Sequence, residues 1–227
     1  MIKRLLFFSG IALVTATAAE DPTPEQQLAI ADAALRLPER GAWTVTFSRA
    51  ESAAGSPAPA HLASSLEATR VGDVQRDVIT WPDGKTSEAW WLGRAWFAED
   101  PRVEGVLFNV NRWPGRIGLT GWIGRDALKG VGEFGGRKVI VFEAEVPLII
   151  LWPGHVIPDP DHHAKLKAQA FVSVDERRLV RVQIGDLIAD FTWNPPPVGE
   201  PAVPPRFVKR YAAVEKTLNR ERKGGGK

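Results

Sequence analysis

Hydrophobic and polar residues alternate along much of this chain with a period of two, which is typical of half-buried β-strands. In the first such segment, 42–50, Trp43, Val45 and Phe47 share one face, and threonine or serine residues stand between them. The same pattern predicts further strands at 62–71, 73–81, 86–92, 95–98, 138–146, 165–174, 179–184 and 187–193. Short turns such as Pro82-Asp83-Gly84-Lys85 join several of them, which favours an antiparallel meander.

Helical patterns lie on either side of this meander. Thr23 can cap a helix that begins at Pro24, and Gln26 can complete a capping box. Apolar spacing continues to Leu37, where a proline follows and ends the helix. Near the other end, a proline-rich stretch precedes a basic helix predicted over 207–222.

The glycine-rich segment 109–136 interrupts the strand pattern, and we expect a loop there with a short helix over 125–129. Residues 130–135 match the letters of the dinucleotide-binding pattern Gly-x-Gly-x-x-Gly. That pattern needs a preceding strand and a following helix. The sequence predicts neither, so we expect a flexible turn at 130–135.

The order of these elements resembles the outer-membrane lipoprotein carrier and receptor proteins (the LolA/LolB-like superfamily). The segments Gly-Arg-Lys-Val-Ile-Val at 136–141 and Ala-Gln-Ala-Phe-Val-Ser-Val-Asp-Glu-Arg-Arg-Leu-Val-Arg-Val at 168–182 resemble its paired late strands. Pro204-Pro205-Arg206-Phe207 resembles the ending that follows the last strand of that family. The resemblance covers most of 23–207, whereas the tryptophan content, the 109–136 segment and the basic C-terminal helix are not family features.

This resemblance implies a mainly β (α+β) fold: an antiparallel incomplete β-barrel or strongly curved sheet with an N-terminal and a C-terminal helix. Its concave apolar face would hold acyl chains beneath the helices. We expect a signal peptide at 1–19, one β-rich domain at 20–207, and a basic helix with a disordered tail at 208–227.

The first nineteen residues are predicted to be a cleaved secretory signal peptide. Lys3 and Arg4 precede the apolar run 5–14, and Ala16-Thr17-Ala18 offers small residues for cleavage. An uncleaved anchor is the competing interpretation, but a spanning helix needs about 20 apolar residues and this run is shorter. We therefore expect an exported, periplasmic protein.

Composition and charge narrow the function classes. The 227 residues include no cysteine, which excludes disulfides, thiolate metal sites and a cysteine nucleophile. Without the signal peptide, 27 basic residues balance 27 acidic ones, and segment 206–227 holds eight of the basic residues but only two acidic ones. The body of the domain is therefore acidic, which argues against nucleic-acid binding. An acidic partner or an anionic membrane surface is expected to contact the C-terminal helix only.

The nine tryptophans are the main candidates for a ligand surface, because indole combines a large apolar face with one N–H donor. We expect five aromatic residues to line the concave face: Trp43, Phe47, Trp81, Trp91 and Trp96. Core packing is the alternative interpretation. Trp90 and Trp91 are adjacent in one predicted strand and should therefore point to opposite faces.

A second candidate is the apolar segment 146–158, whose prolines argue against one regular strand throughout. It is either a protruding loop that contacts membrane or a lipidated partner, or a buried strand edge or plug. The contact residues of the protruding form would be Leu148, Ile149, Ile150, Leu151 and Trp152.

Several residues with metal-binding chemistry follow in the chain: His155, Asp159, Asp161, His162 and His163. Adjacent histidines rarely bind one ion together, and no helical His-x-x-x-His spacing occurs, so we expect an exposed turn and no metal.

No nucleophile elbow, zinc-protease motif or phosphate-binding loop is present in the sequence. Glu143 and Glu145 share one strand face, where solvated charge is commoner than a glycosidase pair. The sequence predicts a noncatalytic, monomeric envelope protein without a cofactor that binds an apolar ligand or lipidated partner on a concave sheet face. The alternatives are an envelope interaction or sensor module, and a hydrolase with an unrecognised site.

Overall fold

A computed structural model describes residues 20–50, 63–93, 95–99, 106–110, 116–117, 119–147, 149–152, 155–158 and 165–224. The helices are α1 (Pro24–Leu35) and α2 (Pro205–Gly224), and a short 3-10 helix spans Arg125–Ala127. The strands before it are β1 (Arg40–Arg49), β2 (Ser65–Val71), β3 (Val74–Thr80), β4 (Thr86–Leu92), β5 (Ala95–Glu99) and β6 (Val106–Val110). Those after it are β7 (Leu128–Phe134), β8 (Arg137–Pro147), β9 (Ile149–Trp152), β10 (His155–Pro158), β11 (Lys165–Ser173), β12 (Leu179–Ile184) and β13 (Leu187–Asn194).

Eleven of these strands form one large antiparallel sheet. Their order across it is β6-β5-β4-β3-β2-β1-β13-β12-β11-β8-β7. The sheet is open, because β6 and β7 are the two edges and do not pair with each other. The expected fold, an open antiparallel sheet with a helix near each end of the chain, is confirmed.

Helix α1 begins as the sequence predicts. The Oγ1 of Thr23 accepts a hydrogen bond from the backbone N–H of Gln26 at 3.4 Å, and Gln26 Oε1 accepts one from the Thr23 N–H at 2.8 Å. This reciprocal pair satisfies two N–H groups that a helix start otherwise leaves without partners. The buried side of the helix, which includes Ala31, Ala34 and Leu35, packs into the main core.

The large sheet has two differently covered faces. Residues opposite one another in antiparallel strands share a face, and Trp43 stands opposite Trp193 on β13 and Ala68 on β2. Because this face contacts α1, we call it the α1 face. Helix α1 packs chiefly against β7 and β12, which lie at one end of the sheet order.

Helix α2 covers the other face, near the opposite end of the sheet order. Its Phe207 is fully buried and stacks on Phe97 of β5, with 5.7 Å between ring centroids. Arg206 donates two hydrogen bonds to the carboxylate of Glu99, at 2.6 and 2.5 Å. The predicted domain boundary at 207–208 therefore falls inside a helix that begins at Pro205 and is anchored to the sheet.

Segment 109–136 contains more regular structure than the sequence predicts. The flexible turn expected at 130–135 is wrong, because these residues lie mostly in β7, which pairs with β8. Gly130 has φ +118° at an irregularity in this pairing. The tight turn between β7 and β8 is formed by Gly135 and Gly136, which also have positive φ. Glycine therefore serves a bulge in a strand here. The short helix expected at 125–129 is only the 3-10 turn, because β7 begins at Leu128.

Segment 146–158 is not one continuous strand, as its prolines indicated. β8 ends at Pro147, and β9 and β10 then pair with each other as a separate two-stranded sheet. Leu148 and the side chains of Ile149, Ile150, Leu151 and Trp152 lie outside the described part of the structure. Both interpretations of this segment therefore stay open.

Candidate ligand-binding face

The five aromatic residues expected to line the ligand surface all lie on the α1 face. Trp43 and Phe47 are four residues apart on β1 and therefore point to the same face, and Trp81 directly follows β3. Trp91 on β4 stands opposite Trp96 on β5, with 6.4 Å between their ring centroids. Strand alternation and register thus bring together residues that are up to 53 positions apart in sequence.

These aromatic side chains differ in how far they are covered. Trp43, Trp81 and Trp96 expose 3% or less of their surface, whereas Phe47 and Trp91 are half-buried. The three tryptophans are therefore part of the packed core, which is the alternative interpretation made from the sequence. Phe47 and Trp91 are the members of the set that a ligand can contact without rearrangement.

Small side chains lie among the tryptophans. Ala68, Asp77, Ala89 and Ala98 stand opposite one another in successive strands, so they form one row across β2, β3, β4 and β5. The three alanines are buried, and Ala89 and Ala98 have no exposed surface. Such short side chains leave the large indoles of neighbouring rows room to pack over the strands.

Asp77 is the polar member of this row. Only 4% of its surface is exposed. Its Oδ1 accepts a hydrogen bond from Gln75 Nε2 at 2.8 Å, and its Oδ2 accepts one from Trp91 Nε1 at 3.2 Å. Burial raises the pKa of Asp77 to about 6, because it disfavours the ionised form, and the two hydrogen bonds only partly oppose this effect.

Sequence reasoning did not single out Asp77 or Gln75. The available signal was that both occupy the same alternation as Ile79 in the predicted strand 73–81, where apolar residues are expected. A charged residue on the apolar alternation of a strand is a candidate for a buried functional group. Only the folded structure, in which 4% of the Asp77 surface is exposed, shows that this position is covered.

Two other polar side chains on this face have described neighbours. Trp81 Nε1 donates to Ser87 Oγ at 2.7 Å. Arg70 on β2 stands opposite Gln75 and is 8% exposed. Burial lowers the pKa of Arg70, whereas the nearby carboxylates of Asp73 and Glu39 raise it. The guanidinium therefore already has acidic neighbours near the β2–β3 turn.

The adjacent tryptophans of β4 point to opposite faces, as expected. Trp90 packs with Leu92, Phe97 and Phe207 on the face that α2 covers, whereas Trp91 lies on the α1 face. The pair therefore provides two chemically equal side chains in different environments, only one of which contacts Asp77.

A separate open groove of about 750 Å³ lies along β8, β11 and β12. Its lining is rich in charge, with Lys129, Glu143, Glu145, Lys165 and Lys167 among its residues. Glu143 Oε1 accepts a hydrogen bond from Gln169 Nε2 at 2.8 Å. None of the five candidate aromatic residues borders this groove, so it is distinct from the α1-face cluster.

Within the described ranges, no group of three or more histidine, aspartate and glutamate side chains is arranged to hold a metal ion. Of the candidate metal residues, 159–163 and the His155 side chain fall outside those ranges. Neither described helix is both long enough and apolar enough to cross a membrane.

No protein-family model matches the chain, and neither does any curated protein sequence. Solved structures that are similar to it include the following three. The lipoprotein LppX of Mycobacterium tuberculosis has a TM-score of 0.44 at 15% identity, over 78% of this chain and 96% of that one. LprF of Mycobacterium bovis has a TM-score of 0.36 at 13% identity, over 81% of this chain and 99% of that one. A LolA-superfamily protein of Nitrosomonas europaea has a TM-score of 0.33 at 14% identity, over 82% of this chain and 96% of that one.

One of these three proteins comes from the superfamily that the sequence resembles. All three TM-scores are below 0.5, so the similarities carry no argument about function.

Proposed function

We propose that this protein is an exported, noncatalytic binding protein of the cell envelope that holds an apolar ligand, or the acyl chains of a lipidated partner, on the α1 face. The observation that carries the proposal is the gathering of Trp43, Phe47, Trp81, Trp91 and Trp96 on that one face of an open sheet. Half-buried Phe47 and Trp91 supply the surface that a ligand would contact first.

The arrangement of the helices supports this location. α1 packs chiefly against β7 and β12, and α2 lies on the opposite face. Among the described residues, neither helix contributes to the cluster that contains Trp81, Ala89 and Trp96. Helix α1 therefore covers the end of the α1 face near β7 and β12, and neither described helix packs against the Trp81 cluster.

Ligand binding is tested with the purified protein in two steps. Mass spectrometry identifies any co-purified lipid, and isothermal titration calorimetry measures binding of dodecanol, a neutral single-chain probe. Absence of both bound lipid and binding heat would refute the proposed function.

Trp90 and Trp91 provide a matched pair of variants. Trp91→Ala should weaken dodecanol binding by about tenfold, because burying an aromatic surface contributes about 1.5–3 kcal/mol. Trp90→Ala should lower stability and leave the dissociation constant unchanged, because its side chain lies on the α2 side. Equal weakening by both variants would place the ligand elsewhere.

A second candidate function concerns α2, which contains seven basic and two acidic residues. Lys209 and Lys216 are exposed and stand about two helical turns apart, while Phe207 holds the other side of the helix on the sheet. We propose that this outward side docks on an anionic surface, either lipid or an acidic protein.

The double variant Lys209→Glu/Lys216→Glu tests this docking without removing Phe207 from the core. It should lose salt-sensitive binding to vesicles that contain anionic lipid, whereas neutral vesicles should bind neither protein. Vesicle binding absent already in the unchanged protein would leave an acidic protein as the partner. Vesicle binding retained by the variant would contradict a role for this side of α2.

The apolar segment 146–158 is the proposed contact for a lipidated partner in this scheme. Replacing Ile150 and Leu151 by serine should reduce partner binding and leave dodecanol binding unchanged if the segment protrudes. Lower thermal stability without a change in partner binding would favour the buried interpretation.

A further inference from the structure

Two buried polar side chains, Asp77 and Gln75, lie among the tryptophans of the α1 face. Both belong to β3, and their side chains are joined by the 2.8 Å hydrogen bond between Gln75 Nε2 and Asp77 Oδ1. They expose 4% and 7% of their surfaces. Neither group contributes to packing as a hydrophobic residue would, so their presence in this position calls for a chemical reason.

The pair presents hydrogen-bond acceptors rather than donors. Gln75 Nε2 and Trp91 Nε1 both donate to the Asp77 carboxyl. Gln75 Oε1 is buried and has no hydrogen-bond partner among the described residues. A buried acceptor without a partner costs free energy, and the missing component is a donor.

The pair also lacks a positively charged partner among the described residues. In the described part of the chain, Asp77 forms no ion pair, and burial and two neutral hydrogen bonds alone govern its pKa. Arg70 stands opposite Gln75 in the neighbouring strand, and its charged neighbours include Asp73 and Glu39. Among the described residues, the buried carboxylate, which is mostly ionised at neutral pH, therefore has no cationic partner, and this is unfavourable unless a ligand supplies one.

We propose that Asp77 and Gln75 bind the positively charged, hydrogen-bond-donating head group of the ligand, so that the site selects a single-chain amine over a fatty acid. An ammonium group can donate to both the carboxylate and Gln75 Oε1. The alkyl chain then extends toward Trp91 and Phe47. This inference rests on the proposed function and adds the chemical class of the ligand.

Chain-matched probes test the head-group preference. Dodecylamine, dodecanol and dodecanoic acid share one alkyl chain and are cationic, neutral and anionic, respectively, at pH 7.5. Calorimetry below their aggregation concentrations should give dissociation constants that rise in that order, with the amine bound about tenfold or more tighter than the acid.

Asp77→Asn keeps the shape of the side chain and removes its charge. The asparagine amide replaces one of the two carboxylate acceptors by an N–H donor, so the variant no longer offers a charged acceptor to an ammonium group. The preference for the amine over the acid should fall at least about tenfold in this variant. Ser87→Ala is the control, because Ser87 is a buried polar residue of the same face that is paired with Trp81.

Each outcome decides between the two proposals. Equal affinity of the unchanged protein for all three probes would overturn the head-group assignment and leave apolar ligand binding intact. A preference that persists in Asp77→Asn would overturn the role of Asp77. Binding of none of the probes, with no lipid co-purified, would overturn the proposed function and the head-group assignment with it.

Discussion

The buried carboxyl of Asp77 makes a sharp prediction about stability and pH. Its pKa is raised from 3.8 to about 6 in the folded protein by burial. Between these two values the folded state holds a proton that the unfolded state has lost. Stability contributed by this residue is therefore fully present below about pH 4 and is lost as pH rises through about 6.

Asp77→Asn removes this titration. A difference between 3.8 and about 6, at 1.36 kcal/mol per pH unit, corresponds to about 3 kcal/mol. The free energy of unfolding of the variant, relative to the unchanged protein, should therefore rise by about 3 kcal/mol between pH 4 and pH 8. A constant offset from altered hydrogen bonding does not affect this slope.

Urea unfolding, followed by tryptophan fluorescence at several pH values, measures this difference for both proteins in parallel. Subtracting the free energy of unfolding of the unchanged protein from that of the variant cancels the contributions of the carboxylates that both proteins share. Asp83→Asn is the matched control, because the hydrogen bond from the Lys85 backbone N–H lowers the pKa of Asp83. Its contribution has the opposite sign and is lost as pH falls. A stability difference for Asp77→Asn that is flat, or that grows toward low pH, would refute the buried-acid reasoning.

Three further predictions concern how the helices are held. Phe207→Ala should lower the free energy of unfolding by about 3–5 kcal/mol, because its fully buried ring stacks on the sheet. Val208, on the same helix, is half exposed, so Val208→Ala should change the free energy of unfolding by no more than about 0.5 kcal/mol. Equal urea midpoints for the two variants would contradict the docking of α2. Thr23→Ala should cost about 1 kcal/mol by breaking the capping box, and circular dichroism should show less helix. Arg206→Ala should shift the urea midpoint only slightly, with a smaller effect at high salt, because its ion pair with Glu99 is solvent-exposed.

The sequence determined nine of the eleven strands of the large sheet, all but β6 and β7, and the side chains that share each face. Alternation is a local property of extended backbone, so it can be read without knowing what a strand packs against. It gave 86–92 and 179–184 with the bounds that the structure has, and it separated Trp90 from Trp91. The same rule failed at β7, where glycines at a bulge resemble a flexible turn.

The candidate site was only partly visible in the sequence. Residue type alone identified the five aromatic side chains, and their shared face follows from alternation combined with strand pairing. Asp77 was missed although it shares the alternation of Ile79, since a carboxylate in an alternating strand is commonly solvated. Its burial depends on Trp91, whose N–H reaches it from a neighbouring strand.

Tertiary structure alone decided which strands are neighbours and which groups are covered. β1 pairs with β13, so Trp43 contacts Trp193, which lies 150 positions later in the sequence. No local sequence pattern predicts this pairing. The basic residues of 206–224 likewise came to lie on a helix packed against the sheet through Phe207, which the sequence alone did not show. Burial, and with it the pKa of Asp77, results from long-range packing, because desolvation depends on every element that surrounds a group.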